Sequence, residues 1–360
     1  MRFGLSPEQT LFRDSVGRYL RDHSALDRVR RFADRDEKRA TDLVAGLVEL
    51  GVPALLVPEA HGGIGLTALD ACVVAEALGY RVAPVAFAAN AAMAPTALLL
   101  AGSEAQKRDW LPSIADGGMI VGAALSELCG ARLGAGVAAS GGRLRGKALF
   151  VLDFEADAYL VADMDGGLHL ARADAPGLSR ARLETVDRTR PIGELGFDNV
   201  AAEPLPGASM DVCRQVLDIG RTMLAADTLG AAQCMIDRAV VYAGQREQFG
   251  RVIGSFQAVK HMCAEMAAHL EPTRASVWYA GHAIAEGSDE AHLVACHLKA
   301  LLGEVGRFVA KTATEVHGGM GFTDLVGLHY WYKRIGFNRQ MLGSPERLRI
   351  EAARAQGLAA

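Results

Sequence analysis

The chain has 360 residues, of which 50% are hydrophobic and 22% are charged, and its formal net charge is −4. This composition is typical of a globular protein with a sizeable core, and the length predicts two or three domains. The negative charge and the lack of a basic tract argue against nucleic acid as the main partner.

The first part of the chain, residues 1–117, is predicted to be helical. Its first helix is expected to begin with Ser6 as N-cap and Pro7 at the first helical position. The residues around this start lack the apolar core of a secretory signal. An uncharged run between Arg81 and Glu104 is long enough to cross a bilayer, but its prolines indicate a buried, broken helix and no membrane span.

The sequence pattern changes near Gly117. Residues 118–207 consist of short apolar runs separated by glycine and aspartate turns, which predicts a small β domain. Over residues 208–360 apolar residues recur three and four positions apart in long segments with short links, which predicts a helical bundle. The expected fold class is therefore α+β, with a helical domain first, a β domain in the middle and a bundle at the end.

Six cysteines are scattered along the chain, and no two of them form a CxxC pair. Their spacing gives no sign of a disulfide framework, and it predicts buried, reduced thiols in a cytoplasmic protein. No metal site is predicted. The cysteines are Cys72, Cys129, Cys213, Cys234, Cys263 and Cys296.

Several motifs, in their order and spacing, are similar to those of acyl-CoA dehydrogenases. They are VPEAHGGIGLTALDACVVAEALG in the first helical part, ALSE, GKALFV and DRTRP in the β part, and REQFG, SFQAVKH and EVHGGMGFT in the bundle. The resemblance covers essentially the whole chain. It implies an N-terminal helical domain, a small middle β domain and a C-terminal four-helix bundle, and it implies a flavoprotein oxidoreductase of lipid metabolism.

Acyl-CoA dehydrogenases remove the α-proton of an acyl-CoA thioester and pass the β-hydrogen as hydride to FAD. The resemblance therefore implies three tasks, because FAD must be held, the thioester carbonyl must be polarised, and a carboxylate must accept the α-proton. The pyrophosphate of FAD favours cationic side chains and free backbone N–H groups.

In this family the Arg and Phe of an R-x-Q-F-G motif, and the Gln of a following F-Q pair, contact the FAD of a neighbouring subunit. The matching residues here are Arg246, Phe249 and Gln257. Taken without the other motifs, Arg246 and Phe249 would fit an ion-paired helix end as well. The full set of motifs favours a cofactor role.

A glycine-rich loop of the family also approaches this FAD, and here it contains Gly318 and Gly319, which permit close backbone approach. The Gln that usually precedes the loop is replaced by Glu315. A carboxylate beside a pyrophosphate is repulsive, so Glu315 is expected to be turned away, paired or protonated.

On the flavin side, the family has a T-E-P-x-x-G-S-D loop and a strand with a threonine hydroxyl. The loop here keeps Ser126 and Glu127, but Leu128 replaces the proline and the G-S-D element is missing. The strand has Phe150 and, at the threonine position, Leu152, which cannot donate a hydrogen bond. Ser126 and Phe150 are candidates for flavin contact, while an ordinary turn and core strand explain them equally well.

The two positions at which the family carries its catalytic glutamate hold no carboxylate here. They correspond to Leu342 and Gly220. Without a positioned base, about 10²–10⁴ in rate is lost. The substitutes near key motifs are Asp218, Glu315 and Glu346, although each is more simply explained as a solvated or capping carboxylate.

The resemblance also suggests Asp218 and Arg221 as substrate-binding residues. At the positions that would close a neighbour's FAD site, this chain mostly has the residue types of the family. At the positions for its own flavin and for the base, most of those residue types are replaced. This pattern is similar to the short actinobacterial subunits of heteromeric α₂β₂ acyl-CoA dehydrogenases, some of which act on steroid side-chain CoA thioesters. In such an assembly FAD is shared across a subunit interface.

Three hypotheses follow from the sequence. The chain is a subunit that completes the FAD site of a catalytic partner, or a self-sufficient homomeric dehydrogenase with a relocated base, or a scaffold that has lost FAD. For the first two, acyl-CoA is the implied substrate and an electron-transfer flavoprotein the implied electron acceptor. Whether the substrate carries an acyl chain or a steroid side chain is left open.

Overall fold

The computed structural model describes residues 4–34, 37, 39–130 and 135–359. Ala131 and Arg132, which end the predicted flavin-side loop, lie outside this part of the chain. Within it, helices are followed by strands and then by helices again, so the predicted α+β fold class is confirmed. Over the same ranges, the helices include none that is long and apolar enough to span a membrane.

The N-terminal region is helical, and its helices begin at well-defined caps. Ser6 and Gln9 form a capping box at the first helix, and Thr67 and Asp70 form another at the fourth. The uncharged run forms a buried π-helical segment that continues into the fifth helix, as predicted. The helices are α1 (Pro7–His23), α2 (Leu26–Ala33), α3 (Thr41–Glu49), α4 (Ala68–Arg81), α5 (Ala94–Ala101) and α6 (Glu104–Ala115).

The middle region contains two small sheets that share a core. The strands are β1 (Val121–Ala124), β2 (Gly136–Ser140), β3 (Arg143–Val151), β4 (Ala158–Ala162), β5 (Leu168–Arg172), β6 (Leu178–Leu183), β7 (Ile192–Ala201) and β8 (Glu203–Pro204). One sheet has the order β1-β4-β5-β8 and the other β2-β3-β7-β6. Tyr159 of the first and Leu195 of the second are fully buried in one apolar cluster. Near its end β3 shifts register against β7, and Phe150 has a φ of 51° there.

The C-terminal region is built on three long helices. Of these, α7 packs against α4 of the N-terminal region and against α8, α9 and α10. The elements are α7 (Met210–Gln245), the strand pair β9 (Glu247–Gln248) and β10 (Arg251–Val252), α8 (Gln257–Ala285), α9 (Ala291–His317), α10 (His329–Gln340) and α11 (Pro345–Ala355). The expected domain boundaries, 117/118 and 207/208, fall in the links between α6 and β1 and between β8 and α7.

A buried ionic cluster joins the β region to the C-terminal helices. Asp227 of α7 accepts hydrogen bonds from Arg334 of α10 at 3.1 Å and from Arg190, which precedes β7, at 2.5 Å. Asn338 donates to the same carboxylate at 2.6 Å. Burial opposes ionisation of Asp227, but the guanidinium groups of Arg190 and Arg334 outweigh it and hold its pKa below the usual value.

Candidate functional site

A two-stranded hairpin joins α7 to α8 and carries the motif REQFG. Phe249 and Gly250 form its tip, with φ angles of 55° and 74°. Two successive positive φ angles are typical of a type I′ turn, in which a bulky residue is strained. The Phe249 ring is nevertheless 93% exposed. Its ring meets Phe256 edge to face, with 6.2 Å between the ring centroids, and is otherwise open to solvent. A strained and largely exposed aromatic residue indicates a binding role.

Arg246 lies between α7 and this hairpin. It is exposed, and its side chain has no hydrogen-bond or ion-pair partner in the described part of the chain. Its carbonyl oxygen accepts a 2.7 Å hydrogen bond from the N–H of Ile253, which brings the start of α8 beside it. The first residue of α8 is the exposed Gln257, and no side chain caps this N-terminus. An unpaired guanidinium beside open N–H groups favours an anion.

The glycine-rich loop begins where α9 ends. Gly318 has a φ of 56°, and a Cβ placed on Gly318 or Gly319 would meet no atom within 4 Å. His317, the last residue of α9, stacks on Tyr242 of α7 with 4.6 Å between ring centroids. The stack holds the end of α9 beside the end of α7. The loop therefore lies at the same end of the bundle as the hairpin, with open space above its glycines.

Five of the residues predicted to contact FAD thus share one exposed end of the bundle. We refer to Arg246, Phe249, Gln257, Gly318 and Gly319 as the bundle-end surface. Glu315 lies on the turn of α9 that precedes it, exposed and 3.6 Å from Lys311. Glu315 is therefore paired, which is one of the ways expected to relieve its repulsion of a pyrophosphate.

The residues predicted for the flavin side bond to their own β domain. The Ser126 hydroxyl donates to the carbonyl oxygen of Phe150 at 3.1 Å. The Glu127 carboxylate accepts a hydrogen bond from the N–H of Leu149, and burial raises its pKa. Leu152 is 2% exposed and presents no hydroxyl. The Ser126 hydroxyl and one oxygen of Glu127 are therefore engaged by β3, while the other carboxylate oxygen of Glu127 is buried without a hydrogen-bond partner among the described residues. Ser126 donates to β3 and an ionised Glu127 can only accept, so the two side chains leave no donor for a flavin ring.

The two positions that correspond to the family's catalytic glutamate lie in contact. A Cβ placed on Gly220 would come within 2.8 Å of Leu342 Cδ1 and 2.7 Å of Met93 Sδ. Leu342 and Met93 are 3% and 0% exposed, and Leu342 has a φ of 56°. The side chains present at this point are apolar and closely packed. They therefore offer no proton acceptor.

Arg221, one residue after Gly220, is fully buried and closed in by its own chain. Its Nε donates to the carbonyl oxygen of Leu342 at 2.9 Å. Its two terminal nitrogens donate to Asp218 at 3.2 Å and to Glu351 at 2.8 Å. All of its charge is balanced internally, so substrate binding by Asp218 and Arg221 stays a prediction that would require this cluster to open.

The candidate substitutes for the base differ in their surroundings. Glu346 is exposed in the first turn of α11, where its own backbone N–H, Ser344 and Arg339 lower its pKa to about 2. Asp218 is buried, and burial raises its pKa. Two residues along a helix are about 200° apart around its axis, so Asp218 points away from the face of Gly220. Neither geometry replaces a carboxylate at the Leu342 position.

Asp218 also belongs to a group of three potential metal ligands. Its carboxylate, a ring nitrogen of His292 and the sulfur of Cys296 lie within 4.8 Å of one another. The guanidinium of Arg221, however, contacts Asp218 at 3.2 Å and the Cys296 sulfur at 3.7 Å. A permanent positive charge at this point disfavours a metal cation. His292 and Cys296 are not predicted from the sequence as site residues, although their i, i+4 spacing places them on one helix face.

Lys299 of α9 is a second buried cation near Leu342, and it is not predicted from the sequence. It is 2% exposed, and its ammonium group donates to the carbonyl oxygens of Arg339 and Gly343, both at 3.4 Å. Burial, with Arg221 nearby, lowers the pKa of Lys299 to about 7. Together with Arg221 it binds the carbonyl groups of the turn that carries Leu342. A lone lysine in a helical pattern gives no sequence signal for this role.

The order of the regions, helices, then a small β region, then a helical bundle, is shared with solved acyl-CoA dehydrogenase structures. The family model for the acyl-CoA dehydrogenase N-terminal domain matches residues 6–118, and that for the C-terminal domain matches residues 210–357. The chain belongs to the acyl-CoA dehydrogenase family.

Several known proteins are similar over nearly the whole chain. The acyl-CoA dehydrogenase IpdE2 of Mycolicibacterium smegmatis is 29% identical over 96% of this chain and 98% of its own. A variant of the Tcur3481-Tcur3483 steroid ACAD is 30% identical, with a TM-score of 0.89 over 97% of this chain and 98% of that one. The ChsE4-ChsE5 complex from Mycobacterium tuberculosis, at 24% identity and a TM-score of 0.91 over all of both chains, shows the same fold.

Proposed function

We propose that this chain is the cofactor-completing subunit of a heteromeric, FAD-dependent acyl-CoA dehydrogenase. One observation carries the proposal. The two positions predicted for a base, Leu342 and Gly220, are buried and in contact, whereas Arg246 and Phe249 are exposed, and the Arg246 side chain has no hydrogen-bond or ion-pair partner among the described residues. The chain offers one half of a cofactor site and lacks the other.

The bundle-end surface fits the outer part of FAD. Arg246 and the open N-terminus of α8 supply donors for the pyrophosphate, and Gly318 and Gly319 leave room for it. The exposed ring of Phe249 offers a flat apolar face to the cofactor or to the partner chain. When bound, FAD supplies the hydride acceptor of α,β-dehydrogenation in this family.

The β domain does not fit the flavin ring in the same way. The Ser126 hydroxyl and one oxygen of the Glu127 carboxylate are bonded to β3, and Leu152 is predicted to stand where the family has a hydroxyl. In the proposed assembly the partner subunit provides those donors and the carboxylate that accepts the α-proton. This chain would then bind the cofactor across the interface and exclude water from it.

The comparisons support a paired arrangement without identifying the partner. The steroid ACAD that is 30% identical bears a double name, Tcur3481-Tcur3483. We propose a related acyl-CoA dehydrogenase subunit as partner, an acyl-CoA thioester as substrate, with an acyl chain or a steroid side chain, and an electron-transfer flavoprotein as electron acceptor. A cytoplasmic location is part of the same proposal.

The decisive experiment is the flavin stoichiometry of the purified chain, alone and co-expressed with its nearest encoded homologue. We expect a colourless protein alone, and a yellow complex that is bleached by an acyl-CoA. A yellow homomer that acyl-CoA bleaches would replace this proposal by a self-sufficient dehydrogenase. A colourless protein that forms no flavin-containing complex would favour the scaffold.

A further inference from the structure

A groove of about 520 Å³ runs between α1 and α4, on residues that the cofactor proposal does not use. Gln9 near the start of α1 donates to Asp70 near the start of α4 at 3.0 Å, so the two helices begin at the same end. Arg21 follows Gln9 by twelve residues, and Arg81 follows Asp70 by eleven. Because the two intervals are nearly equal, the C-terminal ends of α1 and α4 also lie close together.

Three arginines line the groove toward its far end, where the helices finish. They are Arg18, Arg21 and Arg81. The two acidic residues of the groove are neutralised by other partners. Asp14 pairs with Arg13 at 3.0 Å, and Glu76 pairs with Arg274 of α8. The groove thus has an excess of positive charge in a chain whose net charge is −4.

Helix dipoles account for part of this charge but not for all of it. Arg21 and Arg81 lie in the last turns of their helices, where a cation stabilises the dipole. The dipole of each helix end amounts to about half a charge, so three guanidinium groups exceed two helix ends. Arg18 lies outside the last turn, and its side chain has no partner in the ranges that the structure describes. Among the residues that the structure describes, the one ion-pair partner of Arg21 is the exposed Asp22 at 3.8 Å.

The middle of the groove is apolar and formed by small residues. Gly17 of α1 and Ala77 of α4 line it, and Val73 forms a floor that is 2% exposed. A Cβ placed on Gly17 would meet no atom within 4 Å, so the space above it is open. An apolar chain or ring can therefore lie between the helices. The groove volume is that of an ordinary small-molecule site, about 300–1,000 Å³.

We propose that this groove binds an organic phosphate, with its phosphate group on Arg18, Arg21 and Arg81 and its apolar body over Gly17 and Ala77. The planar guanidinium donates two parallel hydrogen bonds to a phosphate, which is why arginine clusters select such ligands. The phosphate comes either from a soluble metabolite or from a lipid headgroup. The site lies outside the bundle-end surface and adds to the proposed function.

Calorimetric titration of the purified chain with octyl phosphate and with inorganic pyrophosphate tests the proposal. Both are expected to bind saturably, with octyl phosphate the tighter because its chain contacts the apolar floor. Binding should weaken as salt is raised, since Arg18 and Arg21 are exposed and Arg81 is only partly buried. Co-sedimentation with phosphatidic acid vesicles separates the two sources, because a lipid site would bind vesicles and a metabolite site would not.

Three variants locate the site. The double variant Arg18→Glu/Arg81→Glu is expected to weaken octyl phosphate binding at least tenfold. Arg145→Glu, which reverses a single charge on the exposed face of β3, should leave it unchanged. Ala77→Leu fills the groove and should weaken octyl phosphate more than pyrophosphate. Circular dichroism checks that each variant is folded, and Arg18→Gln replaces the double variant if that one is not.

Two results would overturn the proposal. One is the absence of saturable binding of octyl phosphate to the wild-type chain. The other is binding that the groove variants leave intact but that Arg246→Ala abolishes, because the phosphate would then lie on the bundle-end surface.

Discussion

The Nε of Arg221 donates a 2.9 Å hydrogen bond to the carbonyl oxygen of Leu342, and both residues are buried. The bond fixes the turn between α10 and α11 in a conformation with a φ of 56° at Leu342. The sequence predicts that the family's catalytic glutamate corresponds to this position, where the present chain packs a leucine. The hydrogen bond from Arg221 supports the turn without any carboxylate in it.

Leu342→Ala should therefore affect stability and spare turnover. Removing a buried leucine side chain costs about 2–5 kcal/mol of unfolding free energy. Turnover per bound FAD of the complex with the partner subunit is expected to stay within about twofold, since the base is proposed to come from the partner. Denaturant unfolding and steady-state kinetics measure the two effects. A large loss of turnover in the folded variant would contradict the proposed division of labour.

Arg246→Ala should reduce the FAD content of the complex. The loss of a charge-assisted hydrogen bond to a pyrophosphate costs about 1.5–3 kcal/mol, or about tenfold or more in the dissociation constant of FAD. Arg251→Ala is the matched control, because Arg251 lies on the same hairpin but stacks over Phe256 at 4.0 Å. Fluorescence titration of the apo complex gives both constants. Equal effects of the two variants would speak against a specific contact by Arg246.

Glu346→Gln should leave turnover of the complex largely intact at neutral pH. The carboxylate of Glu346 is exposed, bonded to Arg339 at 2.7 Å and held at a pKa of about 2. A group so weakly basic is a poor general base near pH 7. Loss of turnover in a folded Glu346→Gln variant would instead identify Glu346 as the base, and the cofactor-completing role would fail.

Asp227→Ala should destabilise the chain strongly. Arg190 and Arg334 would remain buried with their shared counter-ion removed, which costs about 3–5 kcal/mol. Asp237→Ala is a matched control on α7, because Asp237 is only partly buried and bonds to the neutral Tyr80 and Gln233. Urea unfolding at neutral pH compares the two. Similar losses of unfolding free energy in both variants would show that the buried ionic cluster stabilises the chain no more than the partly buried hydrogen bonds of Asp237 do.

Lys299 should make stability depend on pH in a defined direction. Burial, followed by the nearby Arg221, lowers its pKa to about 7, whereas the unfolded chain keeps a value near the usual 10.5. Between pH 7 and pH 10.5 the lysine binds more protons in the unfolded state than in the folded state. The contribution of Lys299 to the unfolding free energy therefore increases as pH rises. Below about pH 7 the cost of burying the charge is present in full, and above about pH 10.5 it is gone.

The comparison with Lys299→Met isolates this effect. The unfolding free energy of the wild type minus that of the variant is expected to rise from pH 7 to pH 10. Other groups that titrate in this range contribute equally to both proteins, so their contributions cancel in the difference. Urea unfolding at several pH values measures it. A difference that does not change with pH would mean that Lys299 keeps its ordinary pKa in the folded chain.

Much of the architecture follows from the sequence alone. Caps such as Ser6 with Pro7, and apolar residues at helical spacing, act locally, so they place the helices without knowledge of the rest. The same holds for the chemistry that the chain lacks. A leucine at 342 and a glycine at 220 cannot accept a proton in any fold.

Only the tertiary structure decided where the remaining polar groups are used. Ser126 and Phe150 are the flavin candidates in the sequence, but the Ser126 hydroxyl donates to the carbonyl oxygen of Phe150 in β3. Arg221, Asp218 and Glu351 come from α7 and α11, and their mutual neutralisation depends on how those helices pack. Side-chain hydrogen bonds and burial join residues far apart in the chain, so local sequence patterns determine the elements while packing determines which charges are left for a ligand.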